Sequence, residues 1–225
     1  MSEITIQSLL ASGAHFGHMR RKWNPRMKPF IFSEKNGVHV IDLEQTIARL
    51  DTALKMVRDI VSGGGKVLFL CTKKNMRTAV MQAAEECGSY FIVERWLGGA
   101  LTNFNTIRQS INRLKELDKE SLKYTITKKE RIMRECEREK LHKLHSGIIE
   151  MRRLPDVIIV ADIEFNDIAV NEAKTLGIPV VGIVDTNTDP TVIDYPIPAN
   201  DDSIRTVQLI MNSFSQMIQQ SAKGQ

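Results

Sequence analysis

The sequence predicts an α/β protein: a five-stranded parallel sheet, doubly wound by crossover helices and interrupted by an antiparallel helical hairpin. Three observations predict it. Short apolar runs rich in Val, Ile, Leu and Phe alternate with longer amphipathic stretches, which is the pattern of strands joined by helices. The runs carry no strict polar alternation, as expected when helices cover both faces of a sheet. Residues 103–153 break the rhythm, being too long and too charged for one crossover helix. At 225 residues the chain fits one large domain with an excursion, since about 150 residues per domain is usual. It divides into an α/β core of residues 1–102 and 154–225 and a helical insertion of residues 103–153.

Each element has its own signal. A short helix around Ile4 to Ala11 ends at Gly13. The strands are Val38 to Ile41, Val67 to Thr72, Tyr90 to Val93, Val157 to Ala161 and Val180 to Val184. Helices run from Leu43 to about Val61, Met76 to Cys87, Ile168 to Leu176 and Ser203 to about Gln220. Their stops agree: Gly63-Gly64-Gly65, Gly88, and Gly177 before Pro179. Within the insertion, Phe104, Ile107, Ile111, Leu114 and Leu117 recur at helical spacing, and Cys136, Leu141, Leu144, Ile148 and Met151 form a second seam. Thr127-Lys128-Lys129-Glu130 has the spacing of a capping box, so the second helix starts there and the tip falls near Lys119 to Thr127.

Charge narrows the function. The net charge is +4, but 28 Lys and Arg face 17 Asp and Glu across residues 1–153, against 3 facing 10 across residues 154–225. One part of the molecule should attract polyanions while the acidic part faces solvent or protein, which favours an oriented nucleic-acid contact. No window approaches the roughly 18 apolar residues of a membrane span, and Met1 to Leu10 lacks the basic leader of a targeting segment. The three cysteines are far apart and carry no Cys-x-x-Cys pairing, so neither a disulfide framework nor a zinc ribbon is indicated.

Ligands of open parallel sheets sit beyond the carboxyl ends of the strands. There the sequence places no Gly-x-Gly-x-x-Gly; Gly63-Gly64-Gly65-Lys66 precedes its strand and lacks phosphate-loop spacing. It places cations instead. Lys73, Lys74 and Arg77 open a helix, so their charge adds to its anion-attracting N-terminus. Arg95 and Trp96 follow the third strand, and Asn103, Asn105 and Arg108 come just beyond, with Trp96 either a stacking platform or a core residue. The N-terminal strap is denser still: Arg20, Arg21, Lys22, Trp23, Arg26 and Lys28 lie within Arg20 to Phe30 together with two prolines. Cations, stacking surfaces and amide donors fit a phosphodiester backbone with unpaired bases better than a small metabolite. His15 and His18 have a metal-pair spacing but no further ligands nearby in sequence, so hydrogen-bonded structural histidines are the plainer reading. Asp162, Asp185 and Asp189 follow the fourth and fifth strands, where magnesium hydrolases collect acids, but turn and cap roles for Asp185 and Asp189, with Pro190 fixing the loop, are the favoured reading.

Several stretches of the chain point further. They are His15-Phe16-Gly17-His18, Trp23-Asn24-Pro25-Arg26-Met27-Lys28-Pro29-Phe30, Asn36-Gly37-Val38-His39, Thr72-Lys73-Lys74 and Arg95-Trp96-Leu97-Gly98-Gly99. Leu101-Thr102-Asn103-Phe104, Gly177-Ile178-Pro179, Val184-Asp185-Thr186-Asn187 and Asp194-Tyr195-Pro196-Ile197-Pro198 continue the series. In this order, over nearly the whole chain, they resemble the bacterial small ribosomal subunit protein two family. The resemblance implies a flavodoxin-like sheet with a protruding coiled-coil hairpin. It implies a non-enzymatic protein without cofactors, seated on small-subunit ribosomal RNA near the head and body junction among other small-subunit proteins. A docking role for small-subunit ribosomal protein one is implied as well, in the cytoplasm or the plastid stroma. A hydrolase using Asp162 and Asp185, and an RNA-binding adaptor outside any particle, are the rival readings.

Overall fold

The computed structural model describes residues 4–120 and 127–223. The elements in chain order are α1 (Ile6–Ser12), β1 (Phe16–Met19), β2 (Ile31–Lys35), β3 (Val38–Ile41), α2 (Leu43–Ser62), β4 (Val67–Leu70), α3 (Arg77–Glu86) and β5 (Tyr90–Ile92). They continue with α4 (Phe104–Glu120), α5 (Lys128–His145), β6 (Val157–Val160), α6 (Asp167–Thr175), β7 (Val180–Val184), β8 (Tyr195–Pro198) and α7 (Ile204–Lys223).

Five strands form a parallel sheet in the order β5-β4-β6-β7-β8. Alternate residues of the central strands feed two cores. Val67, Phe69, Val157 and Ile159 pack with residues of α1, α2, α3 and α7 on one face. Leu68, Leu70, Ile158 and Val160 pack on the other with α6 residues, the base of the α4–α5 pair, and Met27 and Phe30 of the N-terminal segment. Both faces are covered, which is why the strands read as unbroken apolar runs.

Four of the five expected parallel strands are members of this sheet; Val38–Ile41 is not. It is the centre of a separate antiparallel sheet, β1-β3-β2, and its burial alternates, with His39 and Ile41 inward and Val38 and Val40 half-exposed. Asn36 and Gly37, at φ of 53° and 75°, form the turn between β2 and β3. Two consecutive left-handed residues match the twist of a tight hairpin, and Asn-Gly adopts them most readily. The fifth parallel strand is β8, whose Pro196 and Pro198 argue against a strand in sequence. Its edge position resolves the conflict, because a strand paired on one side only can spare N–H groups.

The insertion forms two helices, α4 and α5, that pack on each other. Thr127 and Glu130 make the capping box in both directions. Ile107, Ile111, Leu114 and Leu117 are buried, whereas Cys136 is exposed and outside the seam expected for it. Arg113 reaches Glu137 at 3.2 Å across the pair, and His145, buried at its base, meets Ser110 at 2.9 Å. Most of the expected tip, residues 121–126, lies outside the described residues. No helix among the described residues is long and apolar enough to cross a membrane.

Candidate nucleic-acid interface

The basic strap owes its shape to two inward anchors. Arg20–Lys22 and Pro25–Phe30 are 3-10 turns, the second started by Asn24, whose side chain accepts from the Arg26 N–H at 3.0 Å, and by Pro25. Residues three apart eclipse in such a turn, so Met27 and Phe30 both point into the core. Arg20, Arg21, Lys22, Arg26 and Lys28 are left exposed. Trp23 is half-buried and its ring lies 5.1 Å from that of His39. Phe32 follows at 75% exposure, an aromatic at the end of the strap that sequence reasoning passed over.

The strap is fastened to the carboxyl end of the parallel sheet. The Thr186 carbonyl accepts from the Asn24 N–H at 2.7 Å, and the Thr186 hydroxyl accepts from the His18 N–H at 2.8 Å. Gly17 makes this approach possible, since a Cβ there would meet Thr186 Cγ2 at 2.6 Å. Arg26 pairs with Asp189 and donates to the Thr191 hydroxyl at 3.1 Å. The loop after β7 is thus a mooring for the N-terminal segment; within it Asp189 caps the Pro190–Val192 turn and Asp185 accepts from the Thr186 N–H, the turn and cap roles read from the sequence.

A buried ion cluster lies beneath. Sheet order reverses between β4 and β6, where α/β proteins of this topology usually take a ligand. Here Lys73, after β4, meets Asp162, after β6, at 3.2 Å, Asp201 at 3.6 Å, and Asp202. His18 of β1 adds a contact to Asp185 at 3.2 Å and one to Asp202 at 3.6 Å. Lys73 is therefore not an exposed phosphate contact, as its sequence position suggested; its side chain is 19% exposed because four carboxylates converge on that edge. Burial opposes its charge, but the Asp202 hydrogen bond and the Asp201 and Asp162 charges outweigh that and hold its pKa above the ordinary lysine range. Among the described residues no three His, Cys, Asp or Glu form a metal-ligand set. The acidic portion, expected to face solvent or protein, turns inward in part at this edge: Asp162, Asp185 and Asp201 are buried, the first and last against Lys73 and Asp185 against His18.

The cluster carries a pH dependence with a definite sign. The hydrogen bond to Asp185, against a smaller burial effect, raises the His18 pKa above 6.5. Its contribution is complete below 6.5 and is lost as pH rises through the folded value. Burial, reinforced by the Asp162 and Asp185 charges, pushes the Asp201 carboxyl up to about 8. The folded state then holds a proton that the unfolded chain gives up near 3.8, so stability falls as pH climbs toward 8. Both groups predict a tighter strap at pH 6 than at pH 9. Chemical-denaturant midpoints should decline over that range, and Asp201→Asn should flatten the decline; a midpoint that rises would contradict the cluster.

Of the other expected positions, Lys74, Arg95, Asn103, Asn105 and Arg108 are exposed. Arg77 is committed to Glu94 at 2.6 Å and to the Thr72 carbonyl at 3.2 Å, tying the end of β4 to the end of β5. Trp96 is buried, and its indole N–H donates to Glu172 at 3.0 Å, which settles its place as a core residue rather than a stacking platform. Glu172 was not foreseen. The strap, Lys74, Arg95 and the first turn of α4 lie beyond the carboxyl ends of the strands, along an edge about 19 Å wide at about 4.8 Å per strand.

Residues 9–221 match the family model described as ribosomal protein S2. The chain belongs to the ribosomal protein S2 family. It is 51% identical to the small ribosomal subunit protein uS2 of Chloroherpeton thalassium, over 97% of this chain and 88% of that one. The protein of the same name from Tolumonas auensis is 49% identical over 97% and 91%, and that from Chlorobaculum parvum 47% identical over 97% and 88%. In this S2-family chain Lys73 and His18 meet the carboxylates at the switch point of the sheet, while exposed cations line the rim.

Proposed function

We propose that the chain is a structural constituent of the small ribosomal subunit and not an enzyme. It is seated on small-subunit ribosomal RNA near the head and body junction by the carboxyl edge of its sheet. The supporting observation is the sorting of charge at that edge: Asp162, Asp185 and Asp201 are buried, while Arg20, Arg21, Lys22, Lys28, Lys74, Arg95 and Arg108 are exposed. Trp23 contributes a stacking or bracing surface, and Asn103 and Asn105 contribute amide donors and acceptors. The α4–α5 insertion of residues 103–153 is a coiled-coil projection that adds its own basic surface.

Other small-subunit proteins complete the seat. The docking of small-subunit ribosomal protein one belongs on the outer face of the antiparallel sheet. There Phe16 sits opposite Val40 and Met19 opposite Val38, with Phe16 and Met19 at 53% and 52% exposure. An apolar, aromatic face of that kind suits protein better than phosphate. The compartment is the cytoplasm, or the plastid stroma in a plastid ribosome.

Sedimentation of a lysate tests the reading against a free adaptor. The chain should travel with small subunits through a gradient; small subunits that sediment without it, leaving it in the soluble fraction, would refute assembly into the particle.

A further inference from the structure

The geometry points to Glu172 as the positioning residue that shapes the 95–108 segment for RNA without itself touching RNA. Glu172 lies on α6, 70 or more residues later in the chain than the loop it holds, and is 9% exposed. Its carboxylate collects five donors. Oε1 accepts from the Trp96 indole N–H at 3.0 Å and the Gly99 N–H at 2.8 Å. Oε2 accepts from the Leu101 N–H at 3.0 Å, and from the Thr102 N–H and hydroxyl at 3.1 Å each.

Two carboxylate oxygens offer about four lone-pair directions, so five donors leave none for a substrate, a metal or a proton. That saturation rules out a base or ligand role and leaves a mechanical one. Each of the donors lies between Arg95 and Asn103, in the connection that carries the chain from β5 into α4. Three of them are backbone amides of the turn just before α4 begins at Phe104. Burial works to raise the carboxyl pKa, but the hydrogen bonds from Trp96, Thr102, Leu101 and Gly99 win and keep it below the ordinary glutamate value. A single fixed anion therefore sets where Arg95 leaves the sheet and where Asn103, Asn105 and Arg108 emerge. It is the only link among these residues that comes from outside the segment in the hydrogen bonds described above.

This inference rests on the proposal that the segment meets RNA, and the test separates the two. The full chain is titrated with a small-subunit ribosomal RNA transcript at several salt concentrations, comparing wild type, Glu172→Gln, Arg95→Ala/Arg108→Ala and the triple variant. Glutamine keeps the shape but points an amide N–H₂ at N–H donors. We expect Glu172→Gln to weaken binding about tenfold and to lower the magnitude of the log-log salt slope by about 1.4 to 1.8, the worth of two phosphate contacts. In the Arg95→Ala/Arg108→Ala background the same substitution should have almost no further effect. An equal loss in both backgrounds would overturn the positioning role, because Glu172 would then act on the whole fold. If Arg95→Ala/Arg108→Ala leaves affinity and slope at wild-type values, the RNA-contact reading of the segment fails instead. Should Glu172→Gln unfold, Trp96→Phe, which removes one donor to Oε1, is read by the same comparisons, with a smaller expected loss of about threefold.

Discussion

Lys73→Ala should destabilise the chain by about 3–5 kcal/mol, the usual cost of removing one partner from a buried ion pair. Asp162 and Asp201, with side chains 1% and 3% exposed, would lose the cation that both face. Desolvated carboxylates cannot recover that interaction from water, so they take up protons or the edge opens. Asp201, pushed up to about 8, already holds its proton near neutral pH, which places the result toward the lower end of the range there. Lys73→Met/Asp162→Asn, which removes charge of both signs, should regain part of the loss. Lys74→Ala, at an exposed neighbour, should stay within about 0.5 kcal/mol of wild type. Denaturant midpoints decide the matter, and a Lys73→Ala variant as stable as Lys74→Ala would show that the cluster does not hold the edge together.

Removing the strap's outward charge should have the opposite signature, with stability kept and RNA binding lost. In Arg20→Ala/Arg21→Ala/Lys22→Ala/Lys28→Ala the inward anchors Met27 and Phe30, the Asn24 cap and the Thr186 mooring are untouched. Each exposed substitution should cost no more than about 0.5 kcal/mol of stability. If the four cations each meet a phosphate, the salt slope for binding small-subunit ribosomal RNA should shrink by about 3. Affinity should fall about a hundredfold at moderate salt, given the usual loss per released counterion. Arg26→Ala should differ in kind: it pairs with Asp189 and donates to Thr191, so its loss loosens the strap as well as removing charge. An unchanged slope in the fourfold variant would mean that the strap's exposed cations contact no phosphate.

The contrast between these variants shows what a single sequence conveys about this molecule. Strands β4, β5, β6 and β7 and the helices between them are legible because their residues are apolar on both sides, and glycines mark the ends. β8 is hidden because its signal is carried by Pro196 and Pro198, which only an edge position permits. The β3 run is legible as a strand but not as a member of the right sheet; four residues are too few to separate an alternating pattern from a buried one. At the candidate site, the strap's composition suggests a polyanion, and the structure leaves its arginines and lysines exposed.

What composition cannot convey is which cations are already spent. Lys73 and Lys74 are adjacent and chemically identical, yet one faces carboxylates 89 to 129 residues away in sequence and the other faces outward. Glu172 shows the same limit from the acidic side: on a helix it reads as an ordinary surface residue, and only the fold brings the 96–102 segment over it. The charge asymmetry between the two parts of the chain is real, but much of the acidic part is used to moor the basic part. The rim left over is what we assign to RNA.

Ultraviolet cross-linking of intact small subunits that contain this chain, followed by mapping of the nucleotide-bearing peptides, tests that assignment most directly. The account predicts adducts to small-subunit ribosomal RNA concentrated in residues 19–30, at Lys74, and in residues 95–108. Adducts confined to α7 and the outer face of the antiparallel sheet, with the strap unmarked, would contradict it.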